Sequence, residues 1–261
     1  MVRVGIGGWV FKPWRGEFYP EGLPQARELE HASRQLTTIE INGTFYSTQK
    51  PASFRKWAAE TPDDFVFSLK APRFATHRRV LAEAGESIER FFASGVLELK
   101  EKLGPILWQL HPGKKFDAED FASFLALLPP EVEGRAIRHA VEVRHESFLQ
   151  PSFIALLRKF SVAAVLVDSD KHPLIADVTA DFIYARLQRT SEKEKTGYAA
   201  RGLDLWAKRA ETWAAGGAPD DLATIAGQSP AKSQRDVFIY MISGAKVRGP
   251  AAAMALIERV K

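Results

Sequence analysis

Eight short runs in which apolar and polar residues alternate recur along the chain, mostly separated by longer stretches with helical spacing. Thr37-Thr38-Ile39-Glu40-Ile41-Asn42-Gly43-Thr44-Phe45-Tyr46 constrains the fold most. Its period of two puts Ile39 and Ile41 on one face of a strand and Glu40 and Asn42 on the other. If the isoleucines face a layer of helices, the carboxylate is aimed into a core, which is costly unless it is paired or used. The strand therefore reads as one wall of a polar site, with Gly43 permitting a sharp exit and Tyr46 at the strand mouth.

The other runs repeat the theme. Residues 2–8 form a first strand ending in glycines, and residues 65–70 alternate large apolar residues with Ser68 and Lys70. Residues 104–110 include Gln109, residues 139–144 set Glu142 and Arg144 against Val141 and Val143, and residues 162–168 end in Asp168. Residues 181–187 carry Tyr184 and Arg186 on one face, and residues 237–242 make the last run. Helical spacing predicts helices over residues 23–36, 51–60, 87–102, 117–128, 151–160, 203–214 and 250–260, with Ser87 and Asp117 as caps. Residues 169–180 have no helical period, and residues 216–234 have little pattern beyond a helical turn at 220–225, reading as a mobile loop at the far end.

Eight strands alternating with helices in 261 residues predict an α/β fold: a closed TIM-like barrel of eight parallel strands, helices outside, with one degenerate unit after strand six. An open doubly wound sheet would need strands apolar on both faces, whereas most of these carry an inward polar residue at the carboxyl end. Val4, Ile39, Phe67, Leu107, Val141, Val165, Ile183 and Ile239 are expected on neighbouring strands of one domain spanning residues 1–261.

Composition narrows the chemistry. There is no cysteine, which excludes disulfides, thiolate metal sites and a cysteine nucleophile. No apolar run approaches a membrane span, and Met1 leads almost directly into the first strand, so no membrane association and a cytoplasmic location are expected. A net charge of +4 favours anionic partners without requiring nucleic acid. The dinucleotide and P-loop fingerprints are absent, since residues 5–8 lack the final glycine and following helix.

Several stretches together, Gly7-Gly8-Trp9, residues 14–20, residues 40–46, Phe65-Val66-Phe67-Ser68-Leu69-Lys70-Ala71-Pro72-Arg73, residues 104–110 and Val141-Glu142-Val143-Arg144-His145, resemble the YecE-like family, the domain of unknown function 72. The resemblance spans nearly the whole chain and implies a TIM-like barrel, without implying an activity. Members of that family usually close strand seven with His-Gly and strand eight with an Asn-rich turn, where this chain has Leu187-Gln188 and Met241-Ile242-Ser243-Gly244.

Carboxyl ends of barrel strands converge on one face, where barrel enzymes act. Glu142 is the expected general base, Glu40 its partner and Lys70 an electrostatic stabiliser; a Schiff-base role for Lys70 is weaker, because flanking acids should keep its ammonium charged. Asn42, Tyr46, Arg73, Gln109, Arg144, Asp168 and Arg186 are the expected substrate contacts. Trp9 and Trp14 belong to an aromatic loop read either as a hydrophobic plug or as a lid. Lys246 and Arg248 lie in a glycine-containing basic turn before the last helix, a place for phosphate. The favoured function is an enzyme acting on a small anionic substrate, phosphorylated or polyhydroxylated, by carboxylate acid-base chemistry without a cofactor. The alternatives are phosphoester hydrolysis assisted by a divalent metal, drawing on His77, His111, His145 and His172, and non-catalytic binding of nucleic acid.

Overall fold

The computed structural model describes residues 1–227 and 233–260. Its strands are β1 (Val2–Gly7), β2 (Thr38–Ile41), β3 (Val66–Lys70), β4 (Leu103–Gln109), a two-stranded hairpin of β5 (Glu131–Val132) and β6 (Arg135–Ala136), then β7 (His139–Glu142), β8 (Ala163–Asp168), β9 (Phe182–Leu187) and β10 (Asp236–Met241). All but the hairpin close into an eight-stranded parallel barrel, with β10 returning to β1. Each of the eight apolar residues expected on neighbouring strands sits on its own barrel strand.

Helices cover the outside. They are α1 (Glu28–Gln35), α2 (Gly43–Tyr46), α3 (Pro51–Glu60), α4 (Arg73–Thr76), α5 (Gly85–Ala93), α6 (Ala118–Leu127), α7 (Pro151–Lys159), α8 (Ala200–Ala214) and α9 (Gly249–Ile257). Val4, Ile39, Phe67, Val141, Ile183 and Ile239 point outward and pack in one core with Leu29, Phe54, Phe91, Leu157 and Leu203 from the covering layer. Residues of opposite parity, including Leu107, Ala140, Val165, Val167, Tyr184, Phe238 and Tyr240, fill the barrel interior. Above this apolar floor the Thr38 and Tyr240 hydroxyls meet at 2.9 Å, and those of Ser68 and Tyr184 at 2.7 Å, so buried hydroxyls are paired across the barrel. Gly5 is obligatory at this level, because a Cβ there would lie 1.8 Å from the Thr38 carbonyl oxygen.

The link from β8 to β9 carries no helix among the described residues, as its sequence implied. Ile175, Ala176 and Val178 pack into the outer core where a helix would otherwise lie, and the Thr179 hydroxyl donates to the Val162 carbonyl at 2.7 Å. Four local expectations need correction. The helix expected over 87–102 ends at Ala93, because Gly95 turns left-handed at φ +97° and a 3-10 segment, Val96–Lys102, follows. Helix α5 starts two residues before Ser87, so Ser87 lies inside it and accepts from Arg78 at 3.0 Å instead of capping. The helix expected from residue 23 becomes a 3-10 turn, Gln25–Arg27, before α1. Asp117 does cap α6, accepting from the amides of Glu119 and Asp120. Of the stretch 216–234, residues 228–232 lie outside the described residues; no helix forms at 220–225, where Asp177 instead holds the amides of Ile225 and Ala226 at 2.8 and 2.9 Å.

Candidate active site at the carboxyl face of the barrel

The inward parity of β2, β4, β7 and β9 brings Glu40, Gln109, Glu142 and Arg186 to one level, one residue pair above the hydroxyl layer. Arg186 is the hub. Its Nε and Nη2 each reach a Glu40 carboxylate oxygen at 3.0 Å, its Nη1 donates to Glu142, and the same nitrogen donates to Gln109 Oε1 at 3.1 Å. Arg144, just beyond β7, donates from Nε to Glu142 at 2.7 Å and from Nη2 to Gln109 at 2.8 Å. The Tyr184 hydroxyl donates to Glu40 at 2.7 Å. Glu40 and Glu142 are fully buried and Arg186 is 2% exposed. A bidentate arginine between two carboxylates satisfies its charges inside a core better than a lysine could.

This geometry changes the expected roles of the acids. Burial alone would push the Glu142 carboxyl up, but the Arg186 and Arg144 guanidiniums outweigh it and hold the group below the usual carboxylate range. A base poised near neutrality is therefore not what Glu142 supplies. The Lys70 amine moves the other way: burial first, and then the Arg186 charge, push it down to about 8, against the opposing pull of Glu40 and Glu142. The flanking acids do not keep this ammonium at its ordinary strength, because both are committed to arginines.

Lys70 ends β3, and its Nζ makes no hydrogen bond or ion pair with any described residue. It rests 3.9 Å from the centre of the Phe45 ring. The short helix α2 sets that ring in place, because the Thr44 hydroxyl donates to the carbonyls of Ile41 and Lys70, tying the end of β2 to that of β3.

A cavity of about 1000 Å³ opens above the network. Trp9, Phe45, Tyr46 and Trp57 form an aromatic wall, while Lys70, Arg144, Lys171, Arg186 and Lys246 are the charged residues in its lining; no carboxylate among the described residues lines it. Asn42 sits just past β2, with its amide donating to the Glu40 carbonyl at 3.3 Å, and it and Gln109 also reach the cavity. Trp57 from α3, Lys171 and Gln188 line it too, and none was singled out from the sequence; His77 and His172, named there as metal-ligand candidates, also reach it.

Four expected contacts fall elsewhere. Asp168 follows the outward parity of Leu166, not the inward parity of Val165 and Val167; it accepts from Tyr198 at 3.3 Å and faces Arg189 at 3.4 Å. Burial, stronger there than the Arg189 charge, raises its pKa. Trp14 is 1% exposed, donates to the Lys246 carbonyl at 3.0 Å and packs on Phe11, Phe18 and Tyr19, so it is plug; Trp9 is cavity wall. Arg73 is exposed at the start of α4 and does not line the cavity. The basic turn divides: Lys246 lines the cavity, whereas Arg248 turns to Glu17 at 3.8 Å, and the first residues of α9, Gly249 and Pro250, are buried.

His77 and His111 stack edge to face with ring centres 5.0 Å apart, the His111 Nδ1 accepts from the Gly113 amide, and His145 pairs with Ser147 at 2.9 Å. Among the described residues no group of three or more histidines and carboxylates is arranged to hold a metal ion. Nor is any helix among them long and apolar enough to cross a membrane.

Residues 3–261 match the family model described as protein of unknown function DUF72. The chain belongs to the DUF72 family. It is 26% identical over 158 residues to the UPF0759 protein YunF of Bacillus subtilis (strain 168), a match covering 59% of this chain and 54% of that protein, so the chain spans about half the length of this curated relative. A DUF72 family crystal structure from Thermotoga maritima superposes with a TM-score of 0.72 at 24% identity, covering 98% of this chain and 97% of that one. One from Enterococcus faecalis V583 gives 0.70 at 15% identity, covering 99% and 94%. At these identities the likeness establishes the DUF72 barrel fold.

Proposed function

We propose that this DUF72 protein is an enzyme acting on a small anionic substrate in the cavity at the carboxyl face of the barrel, with Lys70 as the reacting amine. The observation that carries the reading is a cavity whose lining residues include five cationic ones and, among the described residues, no carboxylate, with the Lys70 Nζ unbonded there. In that setting the acids serve as scaffold: Glu40 and Glu142 fix Arg186 and Arg144, whose positive charge faces the cavity and weakens the hold of Lys70 on its proton. Lys70 with a pKa of about 8 exchanges a proton near neutral pH, which an ordinary lysine does poorly. Lys171 and Lys246 suit phosphate or carboxylate, and the Trp9, Phe45 and Trp57 wall suits the carbon skeleton of the same ligand.

A test is calorimetric titration at low ionic strength with inorganic phosphate, phosphomonoesters and small carboxylates, alongside their neutral counterparts. Saturable binding of the anions, weakened in Lys70→Met and Lys246→Ala, is the expected result. Equal affinity for charged and neutral compounds would count against an anion site.

A further inference from the structure

We infer that Lys70 is the nucleophile of an imine-forming site, and that the anionic substrate is a carbonyl compound joined to Lys70 through its carbonyl carbon. The inference rests on the anion-site reading above and names its reaction.

The argument starts from how other partly buried lysines in this chain are held. Lys102 donates to the carbonyls of Ala58 and Thr61 at 2.6 and 2.7 Å, and Lys114 donates to Asp120 at 2.6 Å and to the Arg79 carbonyl at 2.7 Å. Both are anchored as structural lysines should be. Lys70 is 7% exposed yet has no oxygen partner among the described residues, although Glu40 stands on the neighbouring strand β2 and Glu142 two strands away on β7. Arg186 and Arg144 occupy those carboxylates and leave the amine aimed into the cavity above the Phe45 ring. An amine kept out of a salt bridge retains an available lone pair, and its burial beside two guanidiniums increases the fraction that is unprotonated.

In the step itself, the Nζ lone pair attacks the carbonyl carbon. A C–N bond forms as the C=O π pair passes to oxygen, nitrogen gives up a proton, and oxygen takes one. The C–O bond then breaks with uptake of a further proton from solvent in the open cavity, water leaves, and an iminium remains. Its positive nitrogen accepts the electron pair of a bond broken next to the former carbonyl, so the reaction class is cleavage or isomerisation beside that carbon. Lys171 at the same cavity holds the anionic group, joined by Lys246 from the rim, where its Nζ rests 4.5 Å from the Phe11 ring centre.

The experiment is trapping with sodium cyanoborohydride in the intact protein, using glycolaldehyde phosphate and, separately, glycolaldehyde, with peptide mass mapping over time. The expected result is a single early adduct on Lys70, formed about tenfold faster from the phosphorylated aldehyde than from the neutral one, and absent in Lys70→Arg. Modification of Lys70 no faster than that of Lys102 and Lys246 overturns the imine. Calorimetry with inorganic phosphate on the same preparation separates the two levels: phosphate bound in the cavity without Lys70 trapping removes the imine and leaves the anion site, whereas neither binding nor trapping removes both.

Discussion

Arg186 grips Glu40 from the opposite side of the barrel through two bonds of 3.0 Å, joining residues 146 apart in sequence. The pair, completed by Glu142, Gln109 and Arg144, closes the top of the barrel core and forms the floor of the cavity. Removing one member leaves fully buried carboxylates with fewer partners.

Arg186→Met is expected to destabilise the protein by about 3–5 kcal/mol in denaturant unfolding, because buried Glu40 loses its counter-charge and Glu142 keeps only that of Arg144. The double variant Arg186→Met with Glu40→Gln should recover part of that loss. A loss under about 1 kcal/mol would match a solvent-exposed pair and contradict the buried network.

Glu142→Gln is expected to keep the fold at a cost of about 1–3 kcal/mol at neutral pH. The wild-type carboxyl is held below its ordinary pKa, so its contribution is present above the unfolded-state value of 4.5 and is lost as pH falls through the lower folded value. Stability of the variant should therefore fall less steeply on acidification below that point than stability of the wild type. Parallel profiles would show that Glu142 is not charge-paired in the folded state.

Lys70 has the opposite sign. Its folded pKa of about 8 lies below the ordinary 10.5, so between those values the unfolded chain binds the extra proton and stability rises with pH. Below pH 8 the charged amine is a full liability, and Lys70→Met should stabilise the protein by about 1–3 kcal/mol at neutral pH. That advantage should shrink as pH approaches 10.5. A destabilised Lys70→Met would assign the lysine a structural role.

Trp14 and Trp9 should separate cleanly. Trp14→Ala is expected to cost about 3–5 kcal/mol of stability by leaving a cavity in the core, a loss that Trp9→Ala should not match. Trp9→Ala and Lys171→Ala should weaken anionic ligands, the latter about two- to fivefold at low salt, and Arg248→Ala should not. Loss of affinity in Arg248→Ala would move the anion site to the turn before α9.

The barrel was legible because each strand carries its period of two on its own residues: Ile39 against Glu40, Val141 against Glu142, Tyr184 against Ile183. The convergence of Glu40, Gln109, Glu142, Arg144 and Arg186 followed from that parity and a common strand end. Asp168 was misread because its place at the end of β8 suggested the site, while its parity, shared with Leu166, turned it outward. The two tryptophans of one loop cannot be told apart by pattern, since the path of residues 9–19 is set by packing against Lys246 and His31. The roles within the network were hidden for a related reason. Whether Arg186 or Lys70 neutralises Glu40 and Glu142 depends on distances across the barrel, and that choice decides which group stays free to react.

The state of Lys70 is the most direct measure of the account. Isotopic reductive methylation, with Lys70 assigned by its absence in Lys70→Arg, allows NMR titration of the single amine with and without inorganic phosphate. The groups facing it are Arg186, Glu40, Glu142 and Arg144, with His77 nearby. The account predicts a midpoint near 8 in the free protein, moved upward by phosphate as the bound anion stabilises the ammonium. A midpoint near 10.5 that phosphate does not move would contradict it.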